Sequence, residues 1–177
     1  MEPNEVGNWS LPRFSWDYER LDEPEHWFLM ARAYLDCSHH LLGEMIQDRL
    51  SSTFHHAKVA VWTSEHAIEL FLKGAIARAG CPIPGHHNTV ALLAEYRNLY
   101  PGMEFEFQAR VDEAVSDSRK TPRNQYARYP QDKTGQAWAG HTHIDLSIWY
   151  RDVGRFKIDF DRLVPLIKSH QPNRSGA

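Results

Sequence analysis

The stretch that most restricts the fold is residues 52–80, STFHHAKVAVWTSEHAIELFLKGAIARAG. Its apolar and small side chains recur every three or four positions, which predicts one long α-helix with a continuous inward face. Because several of these side chains are small, a second helix backbone can approach closely. Gly80 is expected to cap the helix, since CPIPG follows it and prevents continuation. The inward face consists of Phe54, Ala57, Val61, Ser64, Ile68, Phe71, Leu72, Ala75 and Ile76.

The same spacing predicts helices on either side of this stretch. A first helix is expected to begin after Asp22, a suitable N-cap, and to continue to about residue 50. A third helix is expected over residues 88–100, capped by Asn88 or Thr89. A fourth is expected over residues 104–118.

A last helix is expected over residues 144–168, where Pro165 should end or kink it. The apolar residues that repeat along this helix are Leu146, Trp149, Tyr150, Val153, Phe156, Phe160 and Leu163. No segment alternates apolar and polar residues for long enough to predict a strand. The chain is therefore predicted to be all-α, an antiparallel four- to five-helix bundle with a long loop before its last helix.

Three regions are predicted along the chain. Residues 1–21 show no helical spacing but carry several aromatic side chains, so they are expected to form an irregular arm that docks on the body. Residues 22–168 form the helical domain, and residues 169–177 form a flexible tail. The aromatic residues of the arm are Trp9, Phe14, Trp16 and Tyr18.

Charge and cysteine content exclude several classes of protein. The formal net charge is -3 with a pI near 6.4, so no global basic field attracts nucleic acid, and any such binding needs a local patch. Cys37 and Cys81 are too few for a disulfide framework or a thiolate zinc site, which favours the cytoplasm. The polar start MEPNEVGNWSLPRF predicts no signal peptide, and no apolar run approaches the ~20 residues of a membrane span. No cofactor is predicted.

The loop around RNQYARYPQ combines cations with aromatic rings. Guanidinium groups can hold nucleotide phosphates while a tyrosine ring stacks on the base. The alternative is structural, in which the tyrosines close one end of the bundle and Arg128 pairs with a helix carboxylate. The residues of this cluster are Arg119, Lys120, Arg123, Tyr126, Arg128 and Tyr129.

Histidine and ion-pair motifs give weaker signals. His141 and His143 could bind a metal, but no further ligand supports this, so no metal site is predicted. Glu69 and Lys73 stand four residues apart, either as an exposed ion pair on a helix or as groups reaching into a dimer cleft. His87 is expected to cap the third helix or to anchor the proline-containing loop before it.

The chain resembles the HEPN domain family in three short motifs that occur in the family's order. They are the turn from Glu69 to Lys73, His87 at the start of the next helix, and RYP at residues 128–130 just before the last helix. The resemblance covers roughly residues 25–168. It implies a helical bundle that usually dimerises, often beside a nucleotidyltransferase in toxin–antitoxin or defence systems. The residues expected to contact a ligand are Arg119, Arg123, Tyr126, Arg128, Tyr129, Lys73 and His87.

Some HEPN members are metal-independent ribonucleases, and these carry an arginine followed by four to six residues and a histidine near the last helix. Here no histidine follows Arg128 before His141, so the spacing is too long. The first hypothesis is therefore a non-catalytic, dimeric binding or regulatory module for a nucleotide or a nucleotidyltransferase. One alternative is a ribonuclease that pairs Arg123 or Arg128 with His141 or His143. The other is a plain structural interaction domain.

Overall fold

The computed structural model describes residues 23–50, 53–112 and 145–170. Every regular element in these ranges is helical, which confirms the predicted all-α class for the part of the chain described. The complete α-helices in these ranges are α1 (Glu23–Ile46), α2 (Phe54–Arg78), α3 (Thr89–Leu99) and α4 (Leu146–Ser169), and a short 3-10 helix spans Met103–Phe105. A fifth helix stays a prediction, and the predicted arm over residues 1–21 lies outside the described residues.

Side chains cap the N-termini of three helices. Thr53 precedes α2, Asn88 precedes α3 and Asp145 precedes α4, and each accepts a hydrogen bond from the backbone N–H three residues later. Such contacts satisfy donors that have no partner within the helix. Of the two caps predicted for α3, Asn88 is the correct one.

α2 ends two residues before the predicted cap: its last residue is Arg78, Ala79 is the C-cap residue, and Gly80 follows. This glycine has a positive φ of 77°, a left-handed conformation that glycine adopts without steric penalty. Its backbone N–H donates to the Ala77 carbonyl at 2.9 Å, and the Cys81 N–H donates to the Ile76 carbonyl at 3.2 Å. These two bonds satisfy the last carbonyl groups of the helix and turn the chain toward α3.

α2 is the central helix, and α1 and α4 pack around it. Trp27 near the start of α1 touches Gly74 near the end of α2, so these two helices are antiparallel. Ion pairs join Glu25 to Lys168 at 2.5 Å and Asp36 to Lys157 at 2.7 Å, so α4 is antiparallel to α1 as well. α4 therefore runs parallel to α2.

In the core, the Phe71 ring of α2 packs against aromatic rings from the other helices. Its ring stacks on Phe160 of α4 with centroids 4.3 Å apart, and it meets Phe28 of α1 at 5.5 Å. Tyr96 of α3 lies at 6.3 Å and Phe107, beyond the 3-10 helix, lies at 5.5 Å. Tilted and stacked aromatic pairs at these distances stabilise a core beyond the area that they bury.

Gly43 lets α1 and α4 approach closely, and Gly154 lies in the same interface. A Cβ on Gly43 would lie 3.3 Å from Tyr150 Cε2, and a Cβ on Gly154 would lie 3.5 Å from His39 Nε2. The His39 and Tyr150 rings stack with centroids 4.2 Å apart. Burial and the nearby positive charge of Lys157 lower the pKa of His39, which favours the neutral ring in this interface.

The predicted fourth helix over residues 104–118 is wrong in its first half. Only residues 103–105 form a 3-10 turn, residues 106–110 are not helical, and Val111 and Asp112 are helical. Residues 113–118 lie outside the described part of the chain. α4 also continues to Ser169, so it does not end at Pro165, which was one of the two outcomes predicted for this proline.

Two side chains of α4 explain why residues 104–110 are not α-helical. The buried Asp159 carboxylate accepts hydrogen bonds from the backbone N–H groups of Gln108 and Ala109 at 3.1 and 2.8 Å. Arg162 donates to the carbonyl oxygens of Glu104 and Glu106, each at 2.6 Å. Because α4 satisfies these backbone groups, the segment does not need helical hydrogen bonds.

Replacement of Gly74 by alanine should destabilise the contact between α1 and α2. The added Cβ would lie 2.9 Å from Trp27 Cβ and 3.1 Å from Phe28 Cε1, which is too close without backbone movement. The expected net loss in the free energy of unfolding is about 1–2 kcal/mol, after the gain in helix propensity. Chemical denaturation measures it, with Gly85→Ala as control because nothing lies within 4 Å of a Cβ there. Equal stability of the two variants would contradict the packing described.

Replacement of Asp159 by asparagine should release residues 104–109 from α4. The neutral side chain loses the charged hydrogen bonds to two backbone N–H groups and the 2.8 Å ion pair with Arg162. We expect a loss of about 3 kcal/mol in the free energy of unfolding, measured by urea denaturation. Asp161→Asn is the matched control, because this exposed carboxylate pairs with Arg32 at the surface and should contribute less than about 0.5 kcal/mol.

Candidate functional site

Three charged side chains of α2 lie in the interior. Glu65, Glu69 and Lys73 are only 8%, 4% and 5% exposed. Their spacing of four residues places them on one side of the helix. A charged group at such depth is stabilised only when partners replace the water that it has lost, so this side of α2 is the first place to look for a site.

Three side-chain nitrogen atoms lie close to the Glu69 carboxylate. Lys73 Nζ lies 2.9 Å and His87 Nδ1 lies 2.7 Å from the same oxygen, Oε1. His66 Nδ1 lies 3.7 Å from the other oxygen, Oε2. The carboxylate therefore connects α2 to the loop that leads into α3.

These partners keep Glu69 ionised. Burial disfavours the charged carboxylate and opposes ionisation. The nearby His66 ring and the hydrogen bonds from Lys73 and His87 outweigh this effect and hold the pKa of Glu69 at about 2. Glu69 is therefore a carboxylate at any pH at which the protein would work, and Lys73 has its charge matched within the same helix.

Aromatic rings surround His66 and Lys73, the two partners of Glu69 on α2. The Trp62 ring stacks on His66 with centroids 5.4 Å apart and an interplanar angle of 10°. Tyr34 of α1 meets His66 edge-on at 4.9 Å, and Trp27 of α1 lies with its ring centroid 6.0 Å from Lys73 Nζ. These rings are half-buried, so α1 and α2 together present an aromatic surface beside the Glu69 cluster.

His87 extends from this cluster to the solvent. Its side chain is 64% exposed although Nδ1 contacts a carboxylate that is only 5% exposed. Since Asn88 caps α3, the prediction that His87 caps it is wrong. Its contact with Glu69 instead anchors the loop, which was the other structural role considered.

The structure brings together two of the residues predicted to contact a ligand, Lys73 and His87, at the same oxygen of Glu69. The interpretation of Glu69 and Lys73 as an exposed pair is wrong, because both are buried. The other predicted residues lie outside the described part of the chain, and their roles stay predictions. They are Arg119, Lys120, Arg123, Tyr126, Arg128, Tyr129, His141 and His143.

Sequence reasoning missed the contribution of Trp62, His66 and Tyr34. One signal was present in the sequence. Intervals of four, three and four residues separate Trp62, His66, Glu69 and Lys73, which places them on the side of α2 away from the predicted apolar face. This period marks a second helix face that also needs partners. Tyr34 gave no comparable signal, since its contact depends on how α1 packs.

Comparison of the chain with known proteins identified no relative. The chain matches no protein-family model, and it matches neither a curated protein nor a solved structure. Within residues 23–50, 53–112 and 145–170, no group of three or more histidine, cysteine, aspartate or glutamate side chains is arranged to hold a metal ion. None of the helices in these ranges has the length and apolar character needed to cross a membrane.

Glu69 should make stability depend on pH in the acid range. Its pKa is about 2 in the folded chain against 4.5 for the ordinary side chain. The ionised carboxylate therefore adds roughly 3 kcal/mol to the free energy of unfolding above about pH 5. This stabilisation is lost as the pH falls toward 2. Urea denaturation at several pH values measures this change in the free energy of unfolding.

Glu69→Gln should be less stable at neutral pH, because Lys73 is then buried without its carboxylate, and its stability should vary less between pH 5 and 2. Glu104→Gln, at an exposed position, is the matched control and should follow the wild-type curve. A Glu69→Gln curve parallel to that of the wild type would contradict the low pKa.

Proposed function

We propose that this chain is a non-catalytic, dimeric binding module whose ligand is a ribonucleotide, free or within RNA. The observation that carries the proposal is the cluster at Glu69, where Lys73 and His87 converge on one buried carboxylate beside half-buried aromatic rings. Binding sites for small ligands typically combine apolar and aromatic walls with a few polar groups held in place.

The cluster supplies a fixed polar group and a stacking surface. His87 is held by a carboxylate on a long helix, so its exposed ring has a defined orientation. The rings of Trp62 and Tyr34 lie against His66, three residues from Glu69 along α2. Stacking on aromatic rings suits nucleic-acid bases of any sequence.

The phosphate groups of such a ligand need a different source of positive charge. Lys73 is already paired with Glu69, so its charge is not available to a phosphate. We assign this role to Arg119, Arg123 and Arg128, whose guanidinium groups can bind phosphate oxygens in pairs. Tyr126 and Tyr129 would stack on bases in the same loop.

The proposed partners follow from the resemblance to HEPN domains. The turn ending in Lys73, then His87 and then RYP at residues 128–130 occur in the family's order. A second copy of the chain and a nucleotidyltransferase, in a toxin–antitoxin or defence context, are the partners this implies. Two free cysteines, Cys37 and Cys81, are in keeping with the cytoplasm.

A metal-independent ribonuclease is the second candidate, and one observation favours it. A carboxylate that orients an exposed imidazole, as Glu69 orients His87 at 2.7 Å, is an arrangement found in acid–base catalysis. We place binding first because the Arg-to-His spacing of the ribonuclease members is missing before the last helix.

The purified full chain tests both candidates. Calorimetric titration with ribonucleotides should show binding, and mixed RNA incubated with a metal chelator should remain intact. Arg128→Ala should weaken binding by about tenfold or more, as expected for a charged hydrogen-bond pair. Light scattering should give twice the 20.6 kDa of one chain.

Other outcomes decide between the alternatives. RNA cleavage that is lost in Arg128→Ala or His87→Ala would establish the ribonuclease. Absence of binding to every ribonucleotide and to RNA would leave a structural interaction domain. His55→Ala serves as control, because this exposed histidine lies in the first turn of α2, away from Glu69.

A further inference from the structure

α1 carries a second row of apolar side chains, beside the row that it buries in the core. Its members recur every three or four residues, so they lie along one line of the helix, and Met30 in this row is 45% exposed. α2 runs next to this line and adds two half-buried rings and Val59, which is 48% exposed. Adjacent apolar side chains at a surface indicate a place where another segment binds. This α1–α2 surface consists of Trp27, Met30, Tyr34, Cys37 and Leu41 of α1 and Val59, Trp62 and His66 of α2.

The α1–α2 surface and α4 lie on opposite sides of α1. Arg32 of α1 pairs with Asp161 of α4. Tyr34 follows Arg32 by two residues, and two residues turn a helix by ~200°. Asp145, where the chain enters α4, therefore lies on the far side of α1 from this surface.

The arm over residues 1–21, which lies outside the described residues, joins the chain at the start of α1, where this surface begins. An extended chain from the start of α1 back to Trp16 spans up to ~23 Å, and back to Trp9 up to ~46 Å. The α1–α2 surface ends at Leu41, ~27 Å along α1 from its start. The arm is therefore long enough to lie along the whole surface.

The sequence of the arm suits this surface. Phe14, Trp16 and Tyr18 alternate with Ser15 and Asp17. In an extended chain, alternate side chains lie on the same side, so three rings share one side and the polar side chains share the other. Aromatic rings pack favourably against other rings, and the α1–α2 surface consists mainly of aromatic and aliphatic side chains.

We propose that Phe14, Trp16 and Tyr18 of the arm dock in extended form on the α1–α2 surface of their own chain and cover the rings of Tyr34 and Trp62. Docking needs no ligand and is independent of the proposed function. One consequence rests on that function. The covered rings are the proposed stacking surface for bases, so a ribonucleotide has to displace the arm.

Brief trypsin digestion of the full chain measures docking, because the arm contains two cleavage sites, Arg13 and Arg20. The cleavage rate follows the fraction of molecules in which the arm is released. Met30→Glu places a charge in the surface and should raise the rate at Arg13 about tenfold or more. Ile158→Glu is the matched control, because this 62% exposed side chain lies on α4, and its rate should equal that of the wild type.

Trp16→Gln tests the same contact from the arm, outside the helical core. It should raise the rate at Arg13 as much as Met30→Glu does, and the two changes together should add little, since each removes the same contact. Faster cleavage in Trp16→Gln but not in Met30→Glu would place the arm on another surface and overturn the proposal. Equal rates in the wild type and all variants would overturn it as well.

A nitroxide label on Cys37 locates the docked arm. Cys37 is exposed on the α1–α2 surface, and Cys81→Ser leaves it as the single thiol. The label should broaden the indole N–H signal of Trp16, which is assigned by its loss in Trp16→Phe, and Met30→Glu should restore that signal. An unbroadened Trp16 signal would overturn the docking. Broadening in a mixture of labelled chain and unlabelled ¹⁵N chain would place the arm on a second copy and overturn it too.

Titration with ribonucleotides separates this proposal from the proposed function. Trp16→Gln should bind them several-fold more tightly than the wild type, because no arm has to be displaced. Equal affinities would overturn the competition between arm and ligand. Absence of binding in both chains would overturn the proposed function and leave the docking, which digestion and the nitroxide label measure without a ligand.

Discussion

The ionised carboxyl group of Glu69, buried in the middle of α2, is the interaction on which the rest of this arrangement depends. α2 is buried on nearly every side from Thr63 to Ile76, so a charge there has lost its water and requires partners. Lys73 supplies one from the same helix, and His87 supplies another from the loop beyond Gly80. The compensation of one buried charge thus connects the loop before α3 to the middle of α2.

The sequence was sufficient for the helices whose ends and faces are local properties. α2, the left-handed Gly80 just beyond its C-cap residue and the Asn88 cap of α3 follow from spacing and from residues that satisfy terminal backbone groups. Residues 104–110 have helical spacing too, and there the prediction was wrong. The competing partners, Asp159 and Arg162, lie on a helix some fifty residues later, and local spacing carries no information about them.

The candidate site was predictable only in part, for a similar physical reason. Lys73 and His87 were singled out by their order along the chain, and they do meet, because a buried carboxylate lies between them. The stacking of Trp62 on His66 follows from a spacing of four on one helix. The edge contact of Tyr34 depends on the rotation of α1 about its axis, which is set by packing against α2 and α4 and is not encoded in any short motif.

The reciprocal contacts at Gly43 and Gly154 have a mechanical consequence. Gly43 leaves space that the Tyr150 ring of α4 occupies, His39 of α1 lies against Gly154, and the two rings stack on each other. Sliding α4 along α1 by one helical turn would drive both rings into larger side chains. The seam between α1 and α4 therefore resists shear, because sliding would break the ring stack and the fit of Tyr150 over Gly43 together.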